Sequence, residues 1–502
     1  MQRLKRWLLW LAGFIALLVL ILSARGWYAF RDRVPGYSLN LAITPSHTGA
    51  LQVGFGTTTI NPDLSDPSRP VWVAGFHHNR AATGLHDDLE TVACVIDDGE
   101  TRIGIVALDA IGFFHDDVVR VRQRCQTQLS LDYLMVCSTH NHTTPDLLGL
   151  WGPSTFKSGV NPAYKEQVIG AAARAVEKAA LTLAPAQMRA KSLAAPIQGL
   201  VTDTRKPEVY DPDIHLVVFT DPSNGKVLGS IVGWANHPET PWSGNTELTA
   251  DFCGYLRRAL AKGVSEGQKQ LVEGVGGTHL YLNGAIGGLI STTPSVTVGD
   301  PYLQKEFKEP SHEKAQAVGH ALAAIILPEL TRTNSPSDSH TAIGVRAQTF
   351  LVPVQNRLYL AASYLGVLDR GYTRWKQLRT EAALITLGEV SFACVPGEIY
   401  PEIVNGGIES PTGADFGIQP METPPLRQLM PGSVKFVVGL ANDELGYMVP
   451  RSQWDEVAPF AYDRTSRPYG EINSCGPETA RIVHAQLAEL CRAGAGTPRP
   501  AN

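Results

Sequence analysis

Apolar and polar residues come in blocks along this chain, and the block lengths predict interleaved strands and helices. Residues 89–97 and 102–108 are apolar runs joined through Asp98-Gly99, a dipeptide suited to a tight hairpin. Residues 115–129 repeat apolar positions at helical spacing, and 163–181 form an amphipathic stretch rich in Ala, Glu and Lys. Between them, 133–139 reads as a buried strand. Residues 214–220 and 227–235 flank a turn containing Asn224-Gly225, a second hairpin. Helical spacing returns at 250–262, with Asp251 near the start, where a carboxylate suits the helix dipole, and again at 313–330. Short strands are predicted at 278–282, 383–387, 390–395 and 434–440, the middle pair turning about Gly388. Mixed in this way, the elements predict an α/β fold of mixed sheets with flanking helices. The polar stretch 332–341 reads as an exposed connection between two halves, and the Gly-, Pro- and Ala-rich residues 492–502 as a disordered tail.

The first 30 residues follow a different pattern. Arg3, Lys5 and Arg6 precede an almost uninterrupted apolar run over 7–24, with Trp7, Trp10, Trp27 and Tyr28 placed to suit two membrane interfaces. Leu22-Ser23-Ala24 only partly matches a cleavage site, so an uncleaved anchor is favoured over a cleaved signal, and a buried core helix comes last. Either way the remaining residues are expected to be exported. The leading charges favour a cytoplasmic N-terminus, although Arg25, Arg31 and Arg33 on the far side weaken that orientation.

The 502 residues are 44% hydrophobic and 18% charged, enough for a large core. A formal net charge of −5 gives no basic footprint, which argues against nucleic acid as a partner. Seven cysteines occur without a CxxC. Cys94, Cys137 and Cys394 sit in strand-like runs and read as small buried residues. Cys475 and Cys491 are close enough in sequence to pair in an oxidising compartment, and an odd count leaves at least one free thiol.

Candidate chemistry collects at the ends of predicted strands. His140 and His142 leave the strand 133–139 as His-x-His, and alternation along an extended chain turns both imidazoles to one side. His237 follows 227–235, Glu398 follows 390–395 in Val395-Pro396-Gly397-Glu398, and Tyr447 follows 434–440. Two histidines and a glutamate are a known catalytic zinc set that leaves a position open for water. Singly, each would more often be structural. Asp109, closing Val106-Ala107-Leu108, is a strand-end carboxylate that suits either a hydrogen bond to a zinc-ligating histidine or a structural bond. His77-His78 and His86-Asp87-Asp88 read as hydrated loops before a second metal site.

These segments together resemble the catalytic domain of the neutral ceramidases, zinc amidases that cleave the N-acyl bond of ceramide. That family's Thr-His-Thr-His stands here as Thr139-His140-Asn141-His142, and its His-Pro as His237-Pro238, followed by Asp251-Phe252-Cys253-Gly254-Tyr255. Its Val-Pro-Gly-Glu is unchanged at Val395, Pro396, Gly397 and Glu398, and its Gly-Leu-x-Asn is Gly439-Leu440-Ala441-Asn442 with Tyr447 beyond. Gly54-Phe55-Gly56 with Ile60-Asn61-Pro62 resembles the family's opening strand, and Asp203-Thr204-Arg205 its active-site arginine segment. The order agrees over residues 50–480. The resemblance implies a catalytic domain over 45–490, with zinc held by His140, His237, Glu398 and Tyr447. It also implies that His142, Arg205 and Tyr447 orient substrate or stabilise charge, and that the substrate is a lipid or other small amide. Oligomeric state is left open.

The departures are local. The family's Gly-Asp-Val-Ser-Pro-Asn loop is replaced by Asn283-Gly284-Ala285-Ile286-Gly287-Gly288-Leu289, without its Asp and Ser, which removes support for a serine nucleophile. Backbone N–H groups near Asn283, Gly287 and Gly288 are the expected oxyanion donors, and a plain tight turn is the alternative. Trp151, Pro153 and Phe156 follow the His-x-His where the family is glycine-rich, and the family's additional C-terminal β domain is not expected here. Three readings follow: a zinc amide hydrolase acting on a lipid, a zinc hydrolase of a non-lipid amide or ester, and a ceramidase-like binding module with altered chemistry.

Overall fold

A computed structural model describes residues 2–126, 129–332 and 337–494 of the chain. Its core is built from three sheets that face one another. The first orders its strands Tyr133–Ser138, Arg102–Leu108, Glu90–Asp97, Gln52–Thr59 and Ala184–Pro185. The second orders Thr278–Asn283, Val227–Trp234, Asp213–Thr220 and Gln187–Ala194. The third orders Asn40–Ile43, Ile343–Pro353, Gln377–Leu387, Val390–Cys394 and Val434–Val438. Each contains one parallel pair: Arg102–Leu108 with Tyr133–Ser138, Val227–Trp234 with Thr278–Asn283, and Val390–Cys394 with Val434–Val438.

Strand alternation explains why the central strands read as unbroken apolar runs. Cys94 and Ile96 point into the core shared by all three sheets, with Met135, Ile231, Phe392 and Phe436. Their neighbours Ala93 and Val95 point the other way, onto the helices His115–Gln126 and Pro162–Leu181. The second sheet carries Asp251–Lys262 and His312–Leu330 on its outer face, and the third carries Thr479–Gly494. Three helix-covered sheets thus turn their inner faces to one another, and the α/β class holds.

Several expectations are corrected. Cys475 and Cys491 are buried free thiols, as are the other five cysteines. Residues 492–494 belong to the helix Thr479–Gly494, not to a disordered tail, and residues 495–502 lie outside the described residues. Of the expected connection 332–341, residues 333–336 also lie outside, while His340–Thr341 pairs with Gly49–Ala50. Strand Asn40–Ile43 joins the sheet built from the C-terminal half, so the two halves interlock. The strand Gln187–Ala194 was not legible because it is a sheet edge whose charged side chains break the apolar pattern.

Candidate active site

Four strand-end loops, drawn from all three sheets, carry the expected ligands to one point. His140 Nε2 lies 3.4 Å and His237 Nε2 3.1 Å from Glu398 Oε2. His142 Nε2 is 3.1 Å from His140 Nε2, and Tyr447 Oη is 3.4 Å from His237 Nε2. Glu398 and Tyr447 face each other in a parallel two-strand pair, which sends both side chains to the same side. The three imidazoles form a buried group whose ligand nitrogens all lie within 4.8 Å of one another.

The reason both histidines of His-x-His reach the site differs from the one read in the sequence. His140 has a φ of +67°, so the chain there is left-handed rather than extended. Asn442 also has a φ of +67° and Leu440 one of +53°. Non-glycine residues held this way cost about 1–3 kcal/mol each and concentrate where a loop must aim a functional group. Asn141 fixes its loop by accepting from Thr143 N and donating to Thr249 O, while Asn283 Nδ2 donates to the Thr139 and Asn236 carbonyls.

Hydrogen placement in the cluster follows from its partners. His140 Nδ1 lies 2.7 Å from Ile111 O and His237 Nδ1 2.8 Å from Ile290 O. A carbonyl only accepts, so each Nδ1 carries a hydrogen, and in the neutral ring Nε2 presents a lone pair. Burial opposes a charge on His140, but the Glu398 carboxylate beside it raises that imidazole above its ordinary value. His142 Nδ1 lies 3.1 Å from Glu239 Oε2 at a poor hydrogen-bond angle. Burial, reinforced by the neighbouring imidazoles, pushes His142 down to about 4 and keeps it neutral. Burial opposes the charge of Glu239, but His142 and His237 hold that carboxyl down at about 2. Several lone pairs therefore face one another at about 3 Å, with the Tyr447 hydroxyl as a hydrogen source. Such a donor set fits a divalent cation and is poorly satisfied by hydrogen bonding alone.

Two recesses flank the cluster. A narrow cavity of about 60 Å³ is walled by Ile111, Phe114, Leu148, Tyr359 and Leu368 and reaches His140, His142 and Glu398. A wider cleft of about 620 Å³ holds Phe76, Trp242, Thr204 and Ser291 on the other side of His142, His237 and Tyr447.

The other expected residues stand elsewhere. Arg205 does not reach the imidazoles: its guanidinium pairs with Glu402, donates to Gln453 Oε1 at 3.1 Å and lies over the Tyr400 ring. Asp109 is not bonded to a histidine but grips Arg257 through both oxygens, at 2.9 and 2.5 Å, and His140 uses the Ile111 carbonyl instead. The Asn283 side-chain amide donates to two carbonyls, and Gly287 N donates to Ile399 O at 2.9 Å, so the Gly287 N–H is not free as an oxyanion donor. Gly288 has a φ of +86° and lies against Asp203 and Arg205. That left-handed conformation suits glycine.

Sequence reasoning missed Glu239 and Glu444. Glu239 stands two residues after His237, a spacing that could have drawn attention to it. Glu444 walls the narrow cavity, with one oxygen accepting from Gly446 N and the other buried and unpaired. Burial and the nearby Glu398 hold its carboxyl well above the usual range. A second group, His86, Glu247 and His312, lies near the surface. Its two imidazoles stack face to face at 3.7 Å with 2° between planes, so their lone pairs run parallel instead of converging on an ion.

No family model matches this chain, and no curated protein matches it. Among solved structures, neutral ceramidase from Pseudomonas aeruginosa aligns with a TM-score of 0.65 and 14% identity, over 88% of this chain and 74% of that one. A ceramidase complexed with C2 aligns with a TM-score of 0.64 and 14% identity, over 88% of this chain and 75% of that one. The chain therefore has the ceramidase-like fold that its strand-end segments implied.

Proposed function

We propose that this protein is a zinc-dependent hydrolase of an amide bond, with an N-acyl lipid of the ceramide type as its substrate class. The observation that carries this reading is the convergence of three buried imidazoles on the Glu398 carboxylate, inside a ceramidase-like fold. His140, His237, Glu398 and Tyr447 would hold the metal. When bound, zinc acidifies water and polarises a carbonyl. His142 is neutral, faces the cluster and is backed by Glu239, which suits it to take a proton from the attacking water and return it to the leaving amine. The Tyr447 hydroxyl, held protonated by burial and by Glu398, can donate to an oxygen that gains charge during attack. The apolar walls of the narrow cavity suit an alkyl chain and exclude water from the reacting bond.

A second reading, a metal-holding lipid-binding module without turnover, draws support from the Gly287 N–H being spent on the Ile399 carbonyl. One comparison separates the two. Full-length protein in detergent is analysed for metal beside a His140→Ala/His237→Ala variant, and both are assayed against ceramide, an N-acyl amino acid and a simple ester. Stoichiometric zinc and amide hydrolysis, both lost in the variant, support the hydrolase. Zinc without turnover of any substrate supports the module. Full hydrolysis by the variant would refute the proposal.

A further inference from the structure

The apolar N-terminal helix Gln2–Ala29 has a mean hydropathy of 2.5 over its best window, all of it outside the protein body. At 1.5 Å per residue it is about 42 Å long, enough to cross a bilayer. It does not leave the body on a loose tether. Arg25 Nε donates to Tyr364 O at 2.8 Å, and Tyr364 Oη donates to Leu22 O at 3.1 Å. Just beyond the helix, Arg33 pairs with Asp369, and Phe30 packs edge-on against Tyr372 and Trp375 at 4.9 and 4.8 Å. The exit point is thereby fixed to the helix Arg357–Leu365 and the chain that follows it.

Around that exit the surface is unusually apolar. Trp27 is 77% exposed, Tyr28 50%, Leu358 59%, Leu365 49% and Trp375 66%. Leu358, Ala361 and Leu365 share one helix face, all exposed, while Tyr359 and Ser363 turn inward. Exposed Arg357, Arg374 and Lys376 border the patch, and the Arg31 guanidinium lies over the Tyr28 ring at 3.8 Å. Tryptophan, tyrosine and leucine rimmed by arginine and lysine match the boundary between acyl chains and headgroups, where aromatic rings and long basic side chains place an apolar body and a polar tip. The inner side of the same segment supplies Tyr359, Leu368 and Tyr372 to the narrow cavity beside the imidazoles.

We propose that residues 357–376, with Trp27 and Tyr28, form a platform that rests on the lipid bilayer and fixes the orientation of the body against it. The covalent continuity of the patch with a bilayer-length helix selects this occupant over a protein partner or a second copy. The inference stands independently of any hydrolytic activity.

The seven cysteines are all buried, so a thiol-reactive fluorophore reports an introduced surface cysteine. Full-length protein carrying Leu358→Cys, Trp375→Cys or, as control, Leu181→Cys is labelled and reconstituted into vesicles of phosphatidylcholine and phosphatidylglycerol with a nitroxide on the acyl chain. Leu181 is 78% exposed on a different helix. Quenching several-fold stronger at positions 358 and 375 than at 181 supports the platform. Equal quenching at all three positions, or a shielded probe at 358 and 375 that the bilayer nitroxide does not quench, as a protein interface would give, overturns it.

Discussion

A buried knot of polar groups ties the strand leading to His140 to the loop leading to Tyr447, and breaking it should loosen both. Arg122 donates to both oxygens of Glu381, at 2.6 and 2.7 Å, with the two side chains 6% and 0% exposed. Tyr133 Oη donates to Glu381 at 2.8 Å, and Arg122 also reaches Asn442 Oδ1 at 3.1 Å and Leu134 O at 2.9 Å. Glu381→Gln keeps the shape but strands a buried guanidinium without its counter-charge. Removing one partner of such a pair costs about 3–5 kcal/mol, because desolvation is no longer offset. Replacing both, as in Arg122→Met/Glu381→Leu, removes the stranded charge but leaves the Leu134 carbonyl without Arg122 and the Tyr133 hydroxyl without Glu381, at about 1–3 kcal/mol each. The double variant should therefore lose about as much stability as Glu381→Gln alone, not the sum of two stranded charges. Urea unfolding of full-length protein in detergent, followed by tryptophan fluorescence, gives the midpoints, and zinc retention against a chelator gives a second reading. If Glu381→Gln unfolds within about 1 kcal/mol of wild type, or the double variant is far worse than the single, the charge-stranding argument is wrong.

Asp251 supplies a pH test: burial raises its carboxyl from 3.8 to about 7, with Asp87 adding to the rise. The folded chain then binds more protons than the unfolded one between those values, so stability is fullest at low pH and falls as pH rises through 7. The fall from pH 5 to 8 is about 3 kcal/mol, and Asp251→Asn should abolish it in urea midpoints. Gly287→Ala would set a Cβ 2.1 Å from the Tyr400 ring and 2.7 Å from the Ile399 carbonyl. Because backbone cannot yield, a loss of about 1–3 kcal/mol is expected; an unchanged midpoint would contradict it. Asp109→Asn should destabilise by about 3–5 kcal/mol through its Arg257 partner while leaving metal content unchanged, and metal loss in folded protein would instead restore a role beside the histidines.

The sequence by itself determined the doubly buried strands, the longer helices and the chemistry each of those strand ends carries. The strands 133–139, 227–235, 390–395 and 434–440 were legible because both of their faces are buried, so burial writes an unbroken apolar run into the chain. His140, His237, Glu398 and Tyr447 were singled out for the same reason: each is a polar residue following such a run. Tertiary structure decided which of these meet. Three sheets must share one core before loops so far apart in sequence converge, and the left-handed turn at His140 that aims its ring is set by the carbonyls of Ile111 and its neighbours, not by strand alternation. Arg205 and Asp109 show the converse. Their residue types fitted the chemistry, but Glu402 and Arg257 come from distant elements, and a buried charge takes the nearest counter-charge, which no local pattern records.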